Sequence, residues 1–250
     1  MDNTTIEVIA GLGIPATNFV ATKIYTSVSG LPKNFIWQTK YPALSSLKIN
    51  LEFSELKRRT KIIVIDDEDS FPQKLFTDEG YSIEKWDTVK DYGKLLSGAY
   101  DLIVLDIKGI ATHISDEDGL GVLEGIKQAN PAQIVIAYSQ HTYDLNKSKF
   151  WELADEKIGK PSDFLKIKKI IDNLIMTKYQ PLRYINILHD ILRKKTVSEV
   201  DIKKLDANIV KCIKSKKNPD WPSILHFIHN NNELYSQILQ IGNTIIKFYQ

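Results

Sequence analysis

Five side chains in this 250-residue chain have types and positions that could do chemistry together. Asp66 and Asp67 close an apolar run at residues 61–66. Asp106 closes another at 100–106 and Ser139 a third at 133–139, and Lys160 follows a weaker one at 157–159. Carboxylates brought close together repel and are costly to ionise unless a cation neutralises them. An all-oxygen set suits Mg²⁺, which takes a few carboxylates together with waters and phosphate oxygens. Asp106, after a run of Leu, Ile and Val, is suited to act as a carboxylate nucleophile and form an aspartyl-phosphate. Lys160 can pair with Asp106 or with a phosphoryl oxygen, and Ser139 can donate a hydrogen bond to another. The Lys160-Pro161 step suits a tight turn with a cis peptide that orients the lysine.

These residues meet only if the runs that carry them are strands of one sheet. The runs at 61–66, 100–106 and 133–139 are short, β-branched and nearly continuous, as in parallel strands buried on both faces. Residues 82–86 and 157–159 read as weaker strands. Helical patterns at 71–77, 89–97, 120–129, 143–153 and 162–175 alternate with them. Gly80 and Pro131 punctuate helix ends, and Pro161 opens the last helix. The order is β-α repeated five times. Right-handed crossovers then predict an α/β fold, a five-stranded doubly wound parallel sheet with helices on both faces. Ligands of such sheets bind beyond the carboxyl ends of the strands, which is where the five residues fall.

Charge divides the chain into three segments. Residues 1–60 carry 7 basic and 4 acidic side chains, 61–176 carry 14 and 21, and 177–250 carry 12 and 6, for net charges of +3, −7 and +6. The overall +2 hides this pattern. Residues 1–60 read as a helical or irregular segment, with helices at 6–28 and 45–59 and a loop at 30–42. Residues 61–176 are the α/β unit. Residues 177–250 read as an added all-helical region, with Leu182, Ile185, Leu188 and Leu192 on one apolar face and Ile202, Leu205, Ile209 and Ile213 on another. The basic flanks are expected to dock on the acidic centre. The single cysteine, Cys212, excludes an internal disulfide framework and fits a reducing, cytoplasmic setting. No stretch reaches the ~18 apolar residues of a transmembrane helix. The uncharged residues 8–20 are a membrane-touching candidate, although an amphipathic docking helix is the plainer reading.

Residues 61–176 resemble the receiver domain of two-component response regulators, which has a flavodoxin-like fold. The resemblance lies in IIVIDDE, LIVLD, IAYS and GKP, in that order and at strand ends, and it covers about half the chain. It implies that Asp66, Asp67 and Asp106 bind Mg²⁺. It also implies that Asp106 accepts phosphate from a histidine kinase or phosphotransfer protein, and that Ser139 and Lys160 sense it. The implied function is a non-enzymatic switch, limited to its own phosphorylation from a phosphodonor and its own dephosphorylation. The helical flanks would then read the phosphate through contacts with a protein target.

Four departures from the family pattern mark candidate modulators. The link between Asp106 and Gly119 is long and could cover the site. Lys108 lies two residues after Asp106, and Gln140 follows Ser139 where a small residue is usual. Lys157 stands where an aromatic switch residue is usual. They keep a second reading open, a pseudo-receiver that binds a partner without cycling phosphate. A third reading is a DNA-binding regulator with an unfamiliar helical output. Nucleic acid is not favoured, because the basic runs at 193–195 and 214–217 lead into no helix-turn-helix pattern. His189, beside Asp190, reads as a structural helix residue rather than a phosphotransfer histidine.

Overall fold

A run of consecutive β-branched residues has no polar side to present to water, so it needs cover on both faces. The structure, a computed structural model, describes residues 19–23, 35–39, 41–49, 51–140, 148–228 and 230–250. An antiparallel pair comes first, β1 (Phe19–Lys23) and β2 (Phe35–Thr39). After it come α1 (Phe53–Arg59), β3 (Lys61–Ile65), α2 (Gln73–Asp78), β4 (Ser82–Trp86), α3 (Tyr92–Leu96) and β5 (Leu102–Leu105). Next are α4 (Gly119–Ala129), β6 (Ile134–Ser139), α5 (Ser148–Leu153), β7 (Glu156–Gly159) and α6 (Phe164–Thr177). The chain ends with α7 (Pro181–Lys194), α8 (Glu199–Ser215), α9 (Trp221–Ile224) and α10 (Asn232–Phe248).

Strands β3 to β7 form the expected parallel sheet, in the order β4-β3-β5-β6-β7. The continuous runs supply both faces at once. Ile62, Val64, Leu102, Val104, Ile134 and Ile136 pack with Phe76 of α2 and Ile167 and Ile171 of α6. Ile63, Ile65, Ile103, Leu105 and Val135 pack with Leu95 of α3, Val122 and Ile126 of α4 and Phe150 of α5. Each side chain buried in this way contributes roughly 1.5–3 kcal/mol. Of the helix expected at 143–153, residues 148–153 are helical as α5 and 143–147 lie outside the described residues.

The C-terminal helices extend the first of these cores without a break. Ile185, Leu188 and Leu192 of α7, Ile202, Leu205 and Ile209 of α8, and Leu234, Ile238, Ile241 and Ile245 of α10 belong to the same cluster as that sheet face. Leu182, expected on the α7 stripe, is instead 56% exposed, because it sits in the first turn of the helix at the margin of the core. Among the described residues, no helix is long and apolar enough to cross a membrane.

The reading of residues 1–60 needs correction. Strands stand at 19–23 and 35–39 where a helix and a loop were expected. FVATK and FIWQT are rich in aromatic and β-branched residues, which favour strands. The helix expected at 45–59 is confined to α1, after a short 3₁₀ turn at Leu44–Ser46. Leu47, Ile49, Leu51 and Phe53 alternate and bury against the C-terminal core, which is a period-two pattern. Residues 8–18, most of the stretch considered for membrane contact, lie outside the described residues.

Polar clamps fix the C-terminal helices to the amino ends of the strands. The buried Asp101, just before β5, accepts from Lys61 N at 2.7 Å and from Lys247 Nζ of α10 at 2.6 and 2.8 Å. Asp155, just before β7, accepts from Val135 N at 3.0 Å, Lys127 Nζ at 2.7 Å and Lys178 Nζ at 2.9 Å. Burial alone would raise the Asp155 carboxyl, but Lys127, Lys178 and the Val135 amide hold it below the usual carboxylate range. Gln237 Nε2 of α10 donates to Gln128 O at the end of α4, at 2.8 Å. Basic C-terminal residues therefore do pair with the acidic centre, at the pole opposite the five candidate residues. His189 is likewise structural, bonded to the buried Asp206 at 2.8 Å. Replacing Lys247 with methionine leaves the buried Asp101 without a cation, held by the Lys61 amide and the Tyr179 hydroxyl. A loss of about 2 kcal/mol is expected. A lower urea midpoint with an unchanged slope checks it.

Candidate functional site

The sheet register delivers the site. Asp66 N donates to Trp86 O at 3.0 Å, Asp106 N to Ile65 O at 2.9 Å and Lys160 N to Ser139 O at 3.0 Å, so each residue leaves its strand at the same end. Asp66 and Ser139 are buried, Asp106 nearly so, and Asp67 is exposed. Asp66, Asp67 and Asp106 each offer an oxygen, and these oxygens all lie within 4.8 Å of one another. Among the described residues, this is the one group of three or more histidine, cysteine or acidic residues close enough to share an ion.

Lys160 is the counter-ion. Its side chain is only 2% exposed. Its ammonium donates to Asp66 Oδ1 and, at 2.5 Å, to Asp106 Oδ2, and it lies 3.6 Å from Glu68 Oε2. Burial pulls this ammonium down, but its bonds to Asp106 and Asp66 outweigh burial and raise it above the usual lysine range. It also lies 4.9 Å from the centroid of the Tyr138 ring, a cation–π contact. The Lys160-Pro161 peptide is cis. Asp106 keeps its other oxygen on the Ile107 amide at 2.6 Å.

Beside these groups an open cleft of about 240 Å³ is lined by Asp67, Glu68, Asp106, Lys108, Gly109, Ser139 and Gln140. Lys108 and Gln140 therefore line the cleft. Lys157 is exposed on β7 and does not line the cleft. The long link after Asp106 does not cover the site. Ile110 and Ala111 are buried against the α3–α4 side of the sheet, Val89 N donates to Ile110 O at 2.8 Å, and His113 Nε2 reaches Val89 O at 3.0 Å. Asp118 clips this link with bonds from the Gly109 and Ala111 amides, both at 2.6 Å.

Some site residues escaped sequence reasoning. Ser70 Oγ donates to Asp66 Oδ2 at 3.2 Å and lies 3.2 Å from the Tyr138 hydroxyl, while Glu68 bonds to Gln140. Ser70 lies four residues after Asp66 and Tyr138 one before Ser139, but such spacing in loops and strand ends carries no periodic signal.

The cluster fits a hard divalent cation on its own chemistry. All its donors are carboxylate oxygens, and one ammonium faces Asp66, Asp106 and Glu68 at once. Asp67 registers the surplus negative charge: burial and the neighbouring Asp106 raise its carboxyl above the usual range, against the pull of Lys160.

No protein-family model matches the chain, and no curated protein does. Solved structures similar to it are receiver domains. A two-component response regulator of Clostridium difficile is 24% identical, over 47% of this chain and 97% of its own, with a TM-score of 0.40. The response regulator TrrA of Thermotoga maritima, in complex with Mg²⁺ and BeF, is 28% identical over 46% and 98%, with a TM-score of 0.38. A CheY-like receiver domain of Methanospirillum hungatei is 22% identical over 48% and 95%, with a TM-score of 0.41.

A carboxyl raised in the folded state costs stability as pH rises through its raised pKa. Asp67→Asn removes that cost. Without divalent cations at neutral pH, the variant is expected to melt about 1–2 °C higher than the natural chain. The gain should shrink as pH falls through that raised value and be gone below about pH 4, where Asp67 is protonated in folded and unfolded chains alike. Calorimetry across pH checks both.

Proposed function

We propose that the chain is a phospho-acceptor signalling protein in which residues 61–176 act as a receiver domain, flanked by residues 1–60 and a helical region at 177–250. One observation carries the reading: a buried lysine joins two carboxylates at the ends of β3 and β5, beside a third carboxylate and an open cleft. Asp66, Asp67 and Asp106 would hold Mg²⁺, which supplies charge neutralisation for a phosphoryl group. Asp106 is the phosphoacceptor. Its carboxylate needs no proton removed before it attacks phosphorus. Lys160 and Ser139 are placed to pair with phosphoryl oxygens. A histidine kinase or phosphotransfer protein is the phosphate source, and a protein target reads the result. The chain performs no other chemistry in this reading.

Phosphate on Asp106 competes for the Lys160 ammonium with Asp66, so phosphorylation rearranges ion pairs already present at the site. That rearrangement favours one of two states and switches the contacts of the chain, those of its C-terminal helices included. The C-terminal helices are clamped at the far pole, so the change reaches them through the sheet and its connecting helices. A non-cycling pseudo-receiver, in which Lys160 alone settles the charge, leaves Asp67 and Glu68 without an equal share of countercharge.

Incubation with Mg²⁺ and acetyl phosphate should add one acid-labile phosphoryl mass to the chain and none to Asp106→Asn. A gain that survives Asp106→Asn, or no gain at all, sinks the reading. Mg²⁺ alone should raise the melting temperature. At a hundredfold excess over its dissociation constant the stabilisation is about 2.7 kcal/mol, and Asp67→Asn should lose most of it.

A further inference from the structure

Gln140 follows β6 and Glu68 follows the Asp66-Asp67 pair, so they stand on different loops at the same end of the sheet. They meet across that end: Gln140 Nε2 donates to both Glu68 oxygens, at 2.9 and 3.0 Å. Both oxygens lie on one side of the amide nitrogen, so one N–H is shared between them in a bifurcated bond. Glu68 Oε2 also lies 3.6 Å from the Lys160 ammonium. Both residues line the cleft that leads to Asp106, together with Lys108 and Gly109. Glu68 is otherwise half exposed, so without Gln140 its carboxylate is free to swing into water.

We infer that the Gln140–Glu68 pair is a latch that sets how fast a phosphoryl group reaches Asp106. This deepens the phosphoacceptor reading and rests on it. The pair holds a negative charge where an incoming phosphate must pass. It also draws the β3 and β6 loops together. A small donor has nothing with which to displace it. A protein donor can offer its own groups to Glu68 or Gln140, so the latch selects for a macromolecular phosphate source. The transfer itself is balanced: an Asp106 carboxylate oxygen bonds to phosphorus, the bond from phosphorus to the donor oxygen breaks, and acetate leaves acetyl phosphate with the electron pair. Gln140 and Glu68 are positioning residues in this step, since neither touches the reacting atoms.

The initial rate of phosphoryl gain from acetyl phosphate with Mg²⁺, read by intact mass, tests this. The natural chain is compared with Gln140→Ala, Glu68→Gln and the double variant, with melting temperatures confirming that all four are folded. Each single change is expected to speed uptake by roughly three- to tenfold, a barrier change of ~0.7–1.4 kcal/mol. The double variant should be no faster than the faster single one, because one latch can be opened only once. Rates equal to the natural chain, or effects that multiply, overturn the latch while leaving Asp106 as acceptor. No uptake by any of the four overturns the acceptor reading and the latch together.

Discussion

The rest of the structure is arranged around one buried ammonium held between two carboxylates. Lys160 comes from the turn after β7, Asp66 from β3 and Asp106 from β5, so a single ion triad ties together three separate strand ends. Removing Lys160 would leave two buried carboxylates without their cation, which is among the costliest changes a folded chain can suffer. The same triad falls short of neutrality. Its charge deficit leaves a place for a cation beside a residue that organises the sheet.

A second constraint operates at the other pole. Asp101 and Asp155 sit at the amino ends of β5 and β7 and are satisfied by lysines of α10 and of the segment after α6. Between the poles lies an apolar core that passes from the sheet face into α7, α8 and α10 without a gap. The basic flank has thus found the acidic centre, but at the pole away from Asp66, Asp67 and Asp106. Of those three only Asp67 is exposed, and the docking falls to Asp101 and Asp155.

Much of this was legible in the sequence. Strands buried on both faces need continuous β-branched runs, and such runs are rare enough to be located to within a residue or two. The acids, the serine and the lysine could be placed because they end those runs. What was not legible depended on chain paths through loops. The Gln140–Glu68 contact joins residues 72 apart, and the Asp118 clip depends on a link that folds down beside α3 rather than over the cleft. Nor did spacing reveal the β1–β2 pair, since five-residue strands are too short to set a period of two apart from a helical one. At residues 47–53 a period of two was present but was overridden by an apparent helix.

Gly119, the first residue of α4, lies against the backbone of Asp106 and Ile107, so closely that a β-carbon there would overlap the Asp106 carbonyl oxygen and the Ile107 α-carbon. Its amide also donates to Ile107 O at 3.1 Å. Ten residues later the same helix ends beside Gln128, whose carbonyl is gripped by Gln237 of α10. Helix α4 is therefore a strut, about 16 Å long at 1.5 Å per residue. One foot rests on the Asp106–Ile107 peptide and the other against the C-terminal helix. A rod pinned at both ends passes on displacement rather than absorbing it. The absence of one methyl group at position 119 is what lets the rod seat.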